Sequence, residues 1–198
     1  EATIEVRKIE QEADSKIASA EEELNNALNE ITKGRNEIES AKKELDRNET
    51  TLNEEEQNGL TEINNALNTW QSNYNTFINT LNTLGLTTDT LQTTFDALTK
   101  QIDELTQVLS TLPEDDPSYA STKATLDTLN LQKENLQTLI TTKETLDAGK
   151  KEIDANKQEL NDQISKAKKE IASARNELAT NEAKLNTAYQ EYLNGVNE

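Results

Sequence analysis

The stretch Ile31-Thr32-Lys33-Gly34-Arg35-Asn36-Glu37-Ile38-Glu39-Ser40-Ala41-Lys42-Lys43-Glu44-Leu45 decides the fold. Ile31, Gly34, Ile38, Ala41 and Leu45 are spaced three and four apart, and every residue between them is polar. On a helix of 3.6 residues per turn this spacing gathers them into one narrow stripe. The stripe runs back through Ala27, Leu24, Ala20 and Ile17, and on through Asn48 and Leu52. An apolar heptad pattern held this long predicts a coiled coil. Large residues fill one seam position and small ones (Ala, Gly) the other, so the seam suits one close partner helix better than a wide bundle.

The C-terminal part carries the same pattern. Ile164, Ala167, Ile171, Ala174, Leu178, Asn181, Leu185, Ala188 and Tyr192 alternate large and small, and Leu146, Gly149, Ile153, Asn156 and Leu160 extend the stripe upstream. One string recurs between the arms: Lys42-Lys43-Glu44-Leu45-Asp46-x-Asn48 reappears as Lys150-Lys151-Glu152-Ile153-Asp154-x-Asn156. Antiparallel pairing of the arms buries both seams and sets large residues opposite small ones. Asn48, Asn156 and Asn181, at seam positions, are expected to cost stability and help fix the register. The expected fold is all-α: a long antiparallel two-helix coiled-coil stalk with a small helical-bundle head. Residues 1–57 read as the outgoing stalk helix, 58–141 as the head and 142–198 as the returning helix. An arm of about 55 residues is about 80 Å long.

Composition agrees with a thin seam rather than a deep core. Only 32% of the 198 residues are apolar and 4% aromatic, well below the apolar share of an ordinary compact domain. Five glycines and two prolines are too few for a loop-rich or β-rich chain. The formal net charge is −18. Binding nucleic acid depends on clustered Lys and Arg against phosphates, so no nucleic-acid partner is expected. The same charge disfavours lying flat on an anionic membrane. No apolar run approaches the ~20 residues that span a bilayer, and Glu1 opens directly into helical sequence without a signal peptide. The chain is thus expected to be a soluble piece or a mature form.

In the middle segment, basic residues thin out to Lys100, Lys123 and Lys133, and Thr becomes abundant. Gly85 has the place of a helix C′ residue. Thr87 or Thr88 can cap a second helix ending before Pro113, and Asp116 with Pro117 starts a third. Thr141-x-x-Glu144 has the form of a capping box. For the chain to go out and back an equal number of times, a break near Thr141, a break near Gly59 or a bend within one helix is needed; the break near Thr141, giving a four-helix head, is the expected one, with Gly59 as the alternative.

Little chemistry is on offer. The chain has no His and no Cys, which removes the commonest general base, thiolate nucleophiles and zinc sites of ordinary type. The glycines are isolated, so no phosphate loop exists. Carboxylates on solvated helices lack the burial that would tune them for catalysis. The expectation is no enzyme, no catalytic residue, no cofactor and no metal. Glu114-Asp115-Asp116 has two readings, a calcium site or a helix cap. Trp70, Tyr74 and Phe77 fall on nearly one helix face and are the candidate contact patch of the head, with core packing the alternative.

Two sets of residues carry a resemblance. Ile9-x-x-Glu12-Ala13-x-x-Lys16-Ile17-x-x-Ala20-Glu21-x-Glu23-Leu24 continues through Ile31-x-x-Gly34-x-x-Glu37. Leu146-Asp147-Ala148-Gly149-Lys150-Lys151-Glu152-Ile153 is followed by Lys169-Glu170-Ile171 and Leu185-x-x-Ala188-Tyr189-x-x-Tyr192-Leu193-x-Gly195. Together they resemble the extracellular coiled-coil insertions of FtsX-like (MacB-type) ABC-transporter permeases of Gram-positive bacteria. The resemblance covers both arms and not the head. It implies a domain at the extracellular face of the cell membrane, attached at both ends to the membrane-embedded remainder of a permease. A separate cytoplasmic ATPase would be a partner through that remainder. The head would meet an extracellular protein or peptide ligand, or the domain would transmit motion. It implies no catalytic residue. A surface adhesin or tether and an intracellular coiled-coil scaffold are the competing readings, and a monomer is expected for the isolated domain.

Overall fold

A computed structural model describes residues 2–197, and side chains over 3–196. The described chain is all-α, with three helices: α1 (Ala2–Thr83), α2 (Thr90–Thr111) and α3 (Pro117–Asn197). It divides into two compact units. One comprises Glu1–Gln57 with Asn161–Glu198, the other Asn58–Leu160. The units meet at 57/58 and at 160/161.

In the first unit, segments of α1 and α3 pair. A Cβ built on Gly195 would stand 3.2 Å from Leu24, and one on Gly34 would stand 3.0 Å from Leu185. Lys42 binds Glu182 at 2.7 Å, Arg175 binds Asp46 and Glu49 at 2.8 and 2.6 Å, and Lys168 binds Glu56 at 2.7 Å. Partner numbers on α3 fall as those on α1 rise, so the two segments run antiparallel. The large-opposite-small rule holds at both glycines, where a leucine enters the notch left by the missing side chain. Ile31, Leu52 and Ile164 are the buried apolar residues of this unit. Asn48, Asn156 and Asn181 are exposed, the second of them in the other unit. The expected buried polar register device is therefore absent at these positions, and charged pairs flank the seam instead. Such exposed pairs contribute little each because solvent screens them, but their reach across two helices constrains the register.

In the second unit, α1 continues through Gly59 and α3 through Thr141 without a break. Both expected breaks, and the four-helix head built on them, are corrected. The interruption lies at residues 84–89 and is made by local chemistry. Gly85 has φ +69°, the left-handed conformation that glycine adopts at low cost. The Leu86 N–H donates to Leu81 O at 2.9 Å and the Gly85 N–H to Asn82 O at 3.1 Å, which is a Schellman closure. Thr87 then caps the next helix reciprocally. Its Oγ1 accepts from the Thr90 N–H at 3.2 Å, while the Thr87 N–H donates to Thr90 Oγ1 at 2.9 Å.

The physical reason for the missing breaks is direction. The five-residue connection between α2 and α3 makes them antiparallel neighbours. Phe95, sixteen residues before Thr111, lies 5.5 Å beneath the Nζ of Lys133, sixteen residues after Pro117. Beyond this hairpin, α3 passes to α1. The Trp70 indole meets Leu146, and Gly59 meets Leu160. Thus α1 and α2 both run antiparallel to α3 and serve it in succession. The joint at 84–89 interrupts the outgoing limb without reversing it, so no compensating turn is needed. A core of Phe77, Leu81, Leu91, Leu136 and Leu146 seals the joint, and Leu81 and Leu91 are each only 1% exposed. At the other end of the hairpin Asp116 Oδ1 accepts from the Ser118 N–H at 2.7 Å, capping α3 ahead of Pro117.

Candidate functional site

The aromatic residues singled out from the sequence belong to the second unit and face its seam. Their spacing of four and three puts them on one side of α1. Trp70 and Tyr74 stack, with ring centroids 5.0 Å apart, and Tyr74 meets Phe77 at 6.5 Å. Phe77 is 3% exposed and belongs to the core; Trp70 and Tyr74 are half-buried against it. The Trp70 Nε1–H donates to the Leu146 carbonyl of α3 at 2.8 Å, and the Lys150 ammonium sits 5.9 Å from the indole centroid. Packing is therefore what this trio does, and its exposed edges are confined to Trp70 and Tyr74. Lys150 and the Leu146 carbonyl were not legible as its partners, because they depend on the register of α3.

An open groove adjoins the trio, lined by Asn73, Thr76, Phe77 and Thr80 of α1 and by Gln137, Thr138, Thr142, Thr145 and Leu146 of α3. The hydroxyls of Thr76, Thr80, Thr138, Thr142 and Thr145 each donate to the carbonyl four residues earlier in their own helix. Those five protons are committed; Leu139 and Thr141 complete the lining, so the groove presents methyl groups, amides and the Thr141 hydroxyl. No Asp, Glu, Lys, Arg or Tyr is among its lining residues.

Among the described residues, three exposed groups carry electrostatic pKa shifts. The Lys43 ammonium, bonded at 2.8 Å, holds the Glu39 carboxyl below its ordinary range. Hydrogen bonds from Arg175 to Glu49 and Asp46 raise the affinity of its guanidinium for its proton. The Asp147 carboxylate does the same for Lys143. All of these ion pairs lie on solvated faces. Among the described residues, no group of three or more His, Cys, Asp or Glu is placed to hold a metal ion, and Asp116 serves as the cap of α3. Among the described residues, no helix is long and apolar enough to cross a membrane.

Compared with protein-family models, with curated proteins and with solved structures, the chain matches none.

Proposed function

We propose that the chain is a non-catalytic extracellular coiled-coil domain of an ABC-transporter permease of the FtsX-like type. In this reading Glu1–Gln57 and Asn161–Glu198 form an antiparallel two-helix coiled-coil stalk. The unit Asn58–Leu160 is held away from the membrane for contact with an extracellular protein or peptide, or passes motion to the membrane-embedded part and its cytoplasmic ATPase. One observation carries the reading: residues 24–56 of α1 lie against 168–195 of α3 in descending order. That brings the outgoing and returning arms to the same end, as a domain inserted between two membrane-embedded segments requires. The motif resemblance on both arms supplies the family. A paired stalk resists bending more than a single helix, which suits it to transmit displacement.

The test is topology of the full-length protein in its own cell. A membrane-spanning segment on each side of the chain, with the chain cleaved by protease added outside intact cells, is the expected result. A cell-wall anchor with no second span would replace the permease with the adhesin reading. Protection from external protease, with no span on either side, would replace it with the intracellular scaffold.

A further inference from the structure

The pairing in the first unit has a repeat built into it. Leu24 enters the notch at Gly195, and Leu185 the notch at Gly34. Ten residues separate the two notches on each helix, so α1 and α3 keep one offset between them. That offset sets Ala41 opposite Leu178, Leu45 opposite Ala174 and Asn48 opposite Ile171. The first of these pairs lines one groove and the other two line a second, as the offset requires. Both stripes repeat every seven residues, with Asn taking the part of a small residue. Sliding α3 by one heptad, about 10 Å, therefore restores the match of large to small. Leu24 then meets Ala188, Gly34 meets Leu178, Ala41 meets Ile171 and Leu45 meets Ala167.

Size permits the slide in either direction, and charge separates the two. A slide toward the start of α1 takes Glu182 from Lys42 to Arg35, and Lys168 from Glu56 to Glu49, so both still face an opposite charge. Arg175 leaves Asp46 and Glu49 for Glu39 and Lys42, and Lys42 repels it. The reverse slide brings Glu182 against Glu49. In the second unit, the first slide takes from Trp70 its bond to the Leu146 carbonyl. The notches there are refilled, since Ile153 reaches Gly59 and Gly149 reaches Ile63. The hairpin ties α2 to α3, and in the chain α2 is joined to α1 through residues 84–89, so it can travel with α3.

We infer that the α1–α3 pair of the first unit is a seam with two registers. The register of the structure is the major one, and the register with α3 one heptad nearer the start of α1 is the minor one. Repulsion between Lys42 and Arg175 and the lost Trp70 bond set the gap between them. The pair thereby accommodates an axial displacement of about 10 Å with its apolar faces still matched, a ratchet of one helix past another. This is a property of the pair itself and does not rest on the permease reading.

The test is disulfide trapping in the full chain, which has no Cys of its own. Ala41→Cys is combined with Leu178→Cys for the major register, with Ile171→Cys for the minor one and with Leu185→Cys for the reverse slide. A disulfide needs Cα atoms within about 7 Å, which a heptad offset exceeds. Under mild oxidation at low chain concentration, the 41/178 pair should close fastest and the 41/171 pair more slowly. The 41/185 pair should lag at least about threefold behind 41/171, because like charges oppose that slide. Lys42→Glu sets a carboxylate against Glu182 in the major register and against Arg175 in the minor one. It should speed 41/171 closure at least about threefold and leave 41/185 unchanged. Spin labels on Ser40→Cys and Ser173→Cys, both exposed, leave the seam intact, and Lys42→Glu should add a population at shorter distance. Circular dichroism of each variant checks that the helices persist. Equal closure of 41/171 and 41/185 would mean fraying and overturn the inference. Closure rates and label distances indifferent to Lys42→Glu would overturn it as well.

Discussion

Two glycine-to-alanine changes in the second unit should have opposite signs, although both sit in helix interiors. In a helix, alanine is favoured over glycine by up to about 1 kcal/mol. At Gly149 a new Cβ would meet only the Trp70 ring edge, at 3.8 Å, which is ordinary van der Waals contact. Gly149→Ala should therefore stabilise by somewhat under 1 kcal/mol. At Gly59 the new Cβ would stand 2.8 and 2.9 Å from the two methyl groups of Leu160. Leu160 must then leave the notch it occupies. Overpacking of this kind costs about 1–3 kcal/mol, which exceeds the helix-propensity gain. The net expectation is a loss of about 1 kcal/mol. At about 2–4 °C per kcal/mol for a chain of this size, the two variants should melt on either side of the parent. Urea unfolding followed by circular dichroism gives the same comparison in free energy. If Gly59→Ala proved as stabilising as Gly149→Ala, the close approach of α1 and α3 at this level would be wrong.

Three further outcomes follow from named contacts. Leu91→Ala removes a side chain that is 1% exposed at the joint of α1, α2 and α3, and should cost about 2–5 kcal/mol in urea unfolding. Leu67→Ala, at a position 36% exposed, should cost far less, and equal losses would contradict the placement of the core. Trp70→Phe keeps most of the stacking but loses the bond to Leu146 O, so thermal melting should show a loss near the low end of about 0.5–1.5 kcal/mol; no loss would mean that the indole N–H is solvated instead. Glu39 has its carboxyl pKa lowered by the hydrogen bond and charge of Lys43 from an ordinary 4.5. Its contribution is present above that value and lost as pH falls through the depressed one. The melting difference between the parent and Glu39→Gln should therefore vanish on acidification, and a difference that grew in acid would refute the pairing.

The sequence was most informative where periodicity was long. From Leu24 to Leu52 the stripe, with its counterpart from Leu146 to Tyr192, named residues of the paired faces, and the alternation of size anticipated Leu185 facing Gly34; Ile17 and Ala20, read as part of the same stripe, are exposed. The helix ends were legible too, since Gly85, Thr87, Pro113 and Asp116 each act locally. The course of the chain between the arms was not. A capping-box string at Thr141–Glu144 is also good helix sequence, and with no Gly or Pro nearby the helix propagates through it. Nor could spacing reveal that the joint at 84–89 preserves direction, because that depends on α3 accepting two partners in succession. The seam asparagines failed as register devices for a related reason: a two-helix seam is narrow enough for a short polar side chain to reach water. The aromatic trio was placed correctly on one face, but which way that face points is a property of register and not of spacing.

The pairing of the two arms in the first unit is best tested by spin-label distances. The chain contains no Cys, so labels attach only where cysteines are introduced. Lys42→Cys with Glu182→Cys replaces an ion pair of 2.7 Å and should give a short distance, as for helix axes about 10 Å apart. That distance should persist on dilution with unlabelled chain. Lys42→Cys with Lys168→Cys should read about 13 Å longer, because Lys168 lies against Glu56, fourteen residues further along α1. A 42/168 distance shorter than the 42/182 distance, or a short signal that disappears on dilution, would contradict antiparallel pairing within one molecule.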